Sequence, residues 1–193
     1  MNNPLYNRLI SLVISLGIFH SALTYADDFD NSATPQLPAS VLEEKASYVE
    51  TPYAQEQSIM FDFFLDDPQK IHSALYWVRS YINTLTNEPY GAAPEFLNII
   101  ILIHGTEIVT LAKKNYPKYA SAVQRMRYYE QLGVTFRVCG DAVKDYGYQP
   151  EDLYGFVEII PNAITEIAHW QNEGYAIVSP VIFEKKFSID EIR

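Results

Sequence analysis

Cysteine is nearly missing from this chain. Cys139 is the only one among 193 residues, so no disulfide can form within the chain and stability has to come from a packed core. Bases are scarce too: 14 Lys and Arg stand against 24 Asp and Glu, a formal net charge of −10. A surface of that sign repels phosphate backbones and anionic lipid, which argues against nucleic acid and membrane headgroups as partners. A phosphate-cradling loop is also lacking, because the stretch "HGTE" at 104–107 has one glycine and no Lys-Ser/Thr partner. No apolar run approaches the ~20 residues that cross a bilayer as a helix.

The longest such run, "LISLVISLGIF" at 9–19, follows Arg8 and precedes "TYA", which places Thr24 and Ala26 before Asp27. That is the layout of a secretory signal peptide over residues 1–26. The chain is therefore expected to be exported, to the periplasm, with no stable membrane insertion once the signal is removed. Cleavage would remove Arg8 and no acid, leaving thirteen bases against twenty-four acids. The remaining ~165 residues are enough for one domain with a proper core.

Residues 27–58 are polar, acidic and contain three prolines. They read as an arm or linker with a short helix near "ASVLEEKA". The domain is expected over 59–180, followed by a C-terminal tail over 181–193. "IMFDFFL" has strand length, and Asp67-Pro68 is a helix start. Ile71, Ala74, Leu75, Val78, Ile82 and Leu85 then fall on one helical face. "LNIIILIHG" has no polar alternation, as expected of a strand covered on both sides. "TEIVTLAKKNY" reads as a short helix capped by Thr106, and Pro117 opens another that Gly133 ends. "VTFRV", "FVEII" and "YAIVS" read as three more strands. A short helical piece runs from Cys139 to Tyr146, and Asn162 caps a helix ending at Gly174. "SIDE" at 188–191 has the form of a capping box. The alternation predicts a three-layer α/β/α domain with a five-stranded, mostly parallel sheet.

Sites in such sheets form beyond the carboxyl ends of the strands. There the chain places Asp66, Asp67, His104, Gly105, Thr106, Glu107, Cys139, Gly140, Asn162 and Ser179. Cys139 ends a strand and opens a helix, where a thiolate would be favoured, with Gly140 leaving its approach open. A small buried hydrophobe is the equal alternative. His104 reads as a proton acceptor for the thiol, a ligand, or a loop histidine bonded to backbone. Glu107 reads as an orienting group for His104 or as a helix-dipole partner. A metal site built from His104, Glu107 and Cys139 has no recognised spacing, and neither metal nor other cofactor is expected. Asp66 and Asp67 form a possible carboxylate pair, although capping accounts for Asp67. Tyr128, Tyr129, Tyr146, Tyr148 and Tyr154 suggest a tyrosine-rich contact surface.

The stretch "LGVTFRVCGDAVKDYG", 132–147, resembles the DsrE/DsrF-like group, which includes TusD-type sulfur-relay subunits. The shared pattern is Gly133-Val134, a hydrophobic strand, Cys139, Ala142 and Gly147. "IIILIHG" and "GYAIVSP" are similar to the group as well. The resemblance implies assembly into trimers or hexamers. It also implies that Cys139 carries sulfur as a persulfide between a donor and an acceptor protein. The rival reading is a non-catalytic oligomeric module of the same fold that binds a small ligand or acts as a scaffold. A metal-assisted hydrolase using His104 and Glu107 is a third.

Overall fold

Strands without polar alternation need cover on both faces, and the chain supplies it with helices between successive strands. A computed structural model describes residues 36–193. The signal peptide read over 1–26 and the first part of the arm lie outside the described residues. The chain divides into two units, Met1–Val49 and Glu50–Arg193. The described part of the first holds one short helix, α1 (Ala39–Glu43), with no buried residue.

The second unit is built on β1 (Gln57–Phe63), β2 (Leu97–Ile103), β3 (Thr135–Cys139), β4 (Val157–Ile160) and β5 (Ala176–Val178), in the order β4-β3-β2-β1-β5. All four pairings are parallel. The helices are α2 (Ile71–Thr86), α3 (Tyr116–Gln131), α4 (Gly140–Asp145), α5 (Ala163–Asn172) and α6 (Ile189–Ile192). The expected α/β/α architecture is thus present, with a wholly parallel sheet.

Register shows which helix covers which face. Phe61 pairs with Ile101, which pairs with Phe136, so these three share a face. Phe61 meets Tyr81 of α2 edge-on, and α3 packs beside α2. Asp62, Leu102 and Arg137 share the opposite face. There Arg137 pairs with Glu166 and lies over Trp170, both on α5. The winding reverses between β1 and β5, the place where such sheets open a crevice.

The expected apolar face of α2 is buried at every position: Ile71, Ala74, Leu75, Val78, Ile82 and Leu85. Asp67 caps the turn that leads into α2, its Oδ1 accepting from the Gln69 N–H at 2.8 Å. Asp66 instead pairs with Lys70 at 2.8 Å, so the two carboxylates do not act together. Asn162 caps α5, accepting from the Ile164 N–H at 2.8 Å. Ser188 and Glu191 form the capping box of α6.

Two expectations need correction. Residues 106–115 form two 3₁₀ turns, Thr106–Leu111 and Lys113–Asn115, and not an α-helix. Of the five tyrosines read as a surface, Tyr129 and Tyr148 are core residues, whereas Tyr128 and Tyr146 are exposed.

The burial pattern of α2 gives a direct test. Leu75→Ala, at a fully buried position, is expected to cost about 2–5 kcal/mol in urea unfolding. Ser73→Ala, on the exposed side of the same helix, should stay within about 0.5 kcal/mol.

Candidate functional site at the carboxyl edge of the sheet

Where β1 and β2 end, the chain must turn without leaving buried N–H groups unpaired. Glu107 provides the acceptors. Its side chain is 0% exposed. Oε2 accepts from the Leu65 N–H at 3.0 Å, and Oε1 from the N–H groups of Gly105 at 2.9 Å and His104 at 3.2 Å. One carboxyl group therefore ties the exits of two strands together. Gly105 is required beside it: a Cβ there would lie 2.5 Å from Leu65 N and 2.6 Å from Glu107 Oε2. Thr106 is not a helix cap, since its hydroxyl donates to the Leu65 carbonyl at 2.9 Å. Glu107 is likewise neither a dipole partner at the surface nor an orienting group for the imidazole, because both of its oxygens serve backbone.

The imidazole of His104 has a different partner. Its Nε2 lies 2.6 Å from Oδ1 of Asp62 on β1. The second oxygen of Asp62 accepts from the Ser179 hydroxyl at 2.9 Å, just beyond β5. Phe64 stacks on the ring, with centroids 4.8 Å apart and planes 15° from parallel. Three strand ends thus build an Asp–His pair with both carboxylate oxygens engaged. Burial pushes the Asp62 carboxyl up, but the hydrogen bonds from His104 and Ser179, together with the imidazole's charge, outweigh it and hold the group below its usual range. Glu107 shifts the other way: burial pushes it up, and its backbone donors offset this only in part.

Cys139 lies on the other side of β2. It ends β3 and precedes α4, but its sulfur bonds to neither element. The thiol points to α5, where Sγ accepts from the Ala163 N–H at 3.4 Å. The residue is 5% exposed. Asn162 Nδ2 donates to Asp141 Oδ2 at 2.8 Å, joining the cap of α5 to the first turn of α4 beside the sulfur. Gly140 does not open an approach: a Cβ there would sit 2.8 Å from the Ile160 carbonyl, so it is a packing glycine.

Two clefts open on the carboxyl edge, separated by Phe64. One, of about 370 Å³, is lined by Phe64, Asp66, His104, Thr106, Asp145 and Tyr146 among others. The second, of about 520 Å³, is lined by Asp62, Lys70, Ser179 and the tail as far as Glu184. Cys139 lines neither. Among the described residues no three His, Cys, Asp or Glu side chains come together as a metal site. The structure therefore gathers His104, Thr106 and Glu107 at one strand junction, and Cys139, Gly140 and Asn162 at another. The sequence reading missed Asp62 and Phe64. A carboxylate inside an apolar strand was the available signal, because a charge there needs a partner.

A family model described as the DsrE/DsrF-like family matches residues 52–180. The chain belongs to this family. Among solved structures, a protein of unknown function from Methanobacterium thermoautotrophicum, MTH1491, is similar with a TM-score of 0.50 and 19% identity over 65% of this chain and 100% of that one. BT1422 from Bacteroides thetaiotaomicron, a conserved protein of unknown function, has a TM-score of 0.43 and 14% identity over 63% of this chain and 93% of its own. At such identity the first of these shows a shared fold alone. A comparison with curated proteins found no match. In this DsrE/DsrF-like chain Cys139 is buried, and the Asp–His pair is a separate feature.

The two carboxyl shifts have opposite signs and fall in separate windows. The raised value of Glu107 means that its folded form binds a proton more readily than the unfolded chain does. Its contribution is present below the ordinary value of 4.5 and is lost as pH rises through the folded value. The lowered value of Asp62 gives stability above 3.8 that is lost as pH falls through the folded value. Glu107→Gln is expected to flatten the decline in stability above pH 4.5 and to cost about 1–3 kcal/mol, since one backbone N–H loses its acceptor. Denaturant unfolding of both proteins across pH would show it.

Proposed function

We propose that the protein is an exported sulfur carrier of the DsrE/DsrF-like family, with Cys139 as the atom that accepts and releases sulfur. The observation that supports this reading most is the contact between Cys139 Sγ and the Ala163 N–H at the first turn of α5, a ten-residue helix. Helix N-termini favour anions, and both the thiolate and the persulfide are anionic. In the loading step the thiol loses its proton to solvent and the sulfur attacks a sulfane sulfur of a polysulfide or a donor persulfide. The donor's S–S bond breaks, and the donor leaves one sulfur shorter with the electron pair. Cys139 then holds a persulfide anion, and attack by an acceptor thiolate on its outer sulfur passes that sulfur on. The layout of residues 1–26 supports export to the periplasm. The family resemblance supports a trimer or hexamer in which partner proteins supply and receive the sulfur.

The thiol is 5% exposed against the first turn of α5, beside the Asn162–Asp141 bond that joins α5 to α4, so loading requires this cover to move. Six-residue α4 is too short to be stable alone, and the Asn162–Asp141 bond that closes the junction is exposed. Asp141→Ala is therefore expected to raise the alkylation rate of Cys139 in the folded protein by roughly threefold or more. An unchanged rate would remove this route of access.

A second reading, a small-ligand module, is favoured by one observation: the clefts hold His104 and Asp62 and leave Cys139 out. Intact-mass measurement separates the two. Under native conditions, polysulfide should add one sulfur to the wild-type protein and none to Cys139→Ser. If wild type gains none, while its thiol is alkylated after unfolding, the carrier reading fails.

A further inference from the structure

The Asp62–His104 pair has no part in the sulfur reading, yet both oxygens of its carboxylate and one ring nitrogen are held in place. Asp62 stays ionised at neutral pH, so the proton of the 2.6 Å contact sits on Nε2 of His104. In the neutral imidazole Nδ1 then carries the lone pair, and among the described residues it has no hydrogen-bond partner. With Nε2 fixed by Asp62 and the ring face fixed by Phe64, the imidazole is a preorganised acceptor in the wall of the 370 Å³ cleft. That volume falls within the range of about 300–1,000 Å³ used by small-ligand sites.

The rest of the lining selects the ligand. No Lys or Arg lines this cleft. Asp66, at its rim, is already paired with Lys70, whereas the carboxylate of Asp145 has no ion-pair partner among the described residues. Phe64, 72% exposed, and the exposed Tyr146 present rings to the same space. Aromatic faces and a carboxylate attract cations and repel anions. A lone pair on Nδ1 requires a donor. A protonated amine meets all three conditions: it brings N–H donors, a positive charge, and carbon for the rings. We propose that this cleft binds a small organic ammonium ion, which donates one N–H to His104 Nδ1, faces Asp145 with its charge, and lies between Phe64 and Tyr146.

The test uses the isotopically labelled full chain and propylammonium as the probe, with propan-1-ol and propionate as controls of similar size. Propylammonium should give saturable NMR shifts at the His104 imidazole and the Tyr146 ring, and neither control should. Asp145→Asn, at an exposed position, should weaken binding about threefold to fivefold. Asp62→Asn should change the ¹⁵N signature of His104 to the other tautomer and abolish the response, with a thermal melt confirming that the variant is folded. Cys139→Ser should bind as wild type does, which keeps this proposal separate from the sulfur reading. Equal shifts with propan-1-ol, an unaltered affinity in Asp145→Asn, or no saturable response at His104 would each overturn it.

Discussion

The buried carboxyl group of Glu107 holds the functional edge of this protein together. It takes N–H groups from the exit of β1, at Leu65, and from the exit of β2, at His104 and Gly105. Two further bonds reinforce the junction, from His104 N to the Phe63 carbonyl and from Thr106 N to the Leu65 carbonyl. The parallel ladder thus continues past the last paired residues of both strands. Asp62 and Phe64 on one strand and His104 on the other can then meet in a single geometry. Without an acceptor at that depth, the N–H groups of Leu65 and Gly105 would be left buried and unpaired, a cost of order 1–3 kcal/mol each. The same crowding explains why residue 105 has no side chain.

Register separates the two chemistries of the edge. β2 lies between β1 and β3, and Asp62, Leu102 and Arg137 share one face. Two residues further along the chain, Phe64 and His104 stack just beyond the ends of β1 and β2, and Cys139 closes β3. The imidazole turns toward β1 and its carboxylate, while the thiol turns toward β4 and the start of α5. Nearness along the rim therefore does not make His104 and Cys139 a nucleophile and its base. Each has a partner of its own on opposite sides of β2. Ten-residue α5 reaches the sulfur with its first turn and packs against β1 and β5 further along, while the clefts open at the carboxyl edge.

What could be read from the sequence was what local rules determine. The period of α2, the Asp67-Pro68 start, the Asn162 cap and the Ser188–Glu191 box each depend on residues within a few positions of one another, and the structure contains all four. The five strands were legible because apolar runs of that length, between helices, have few other places to go. The site was less legible because its bonds are long-range. Glu107 reaches Leu65 across 42 positions, and Ser179 reaches Asp62 across 117. Nothing local distinguishes Glu107 from a solvent-facing glutamate at the start of a helix. Thr106 was misread for the same reason: a cap and a cross-strand donor look alike until the neighbouring strand is placed. Asp62 was the exception, since a carboxylate within "IMFDFFL" announces that a partner must exist, though not which one.

The burial of Cys139 bears on how a carrier would work, and what covers the sulfur sets the cost of reaching it. A thiol deep in the core, beneath α2 or within β2, would be released only by global unfolding. Cys139 instead lies beside an exposed side-chain bond that joins α5 to six-residue α4, elements of the kind found at the low end of the range of local stabilities. Opening there would expose the sulfur while leaving the sheet and the Glu107 junction intact. Closure would return the Ala163 N–H to the sulfur that the proposed transfer leaves there. Such cover would keep a bound sulfur atom from stray thiols between transfers. The proposed His104 cleft sets the opposite requirement, since a ligand that exchanges freely needs an acceptor reachable without opening, and the imidazole is fixed by Asp62 while only partly buried.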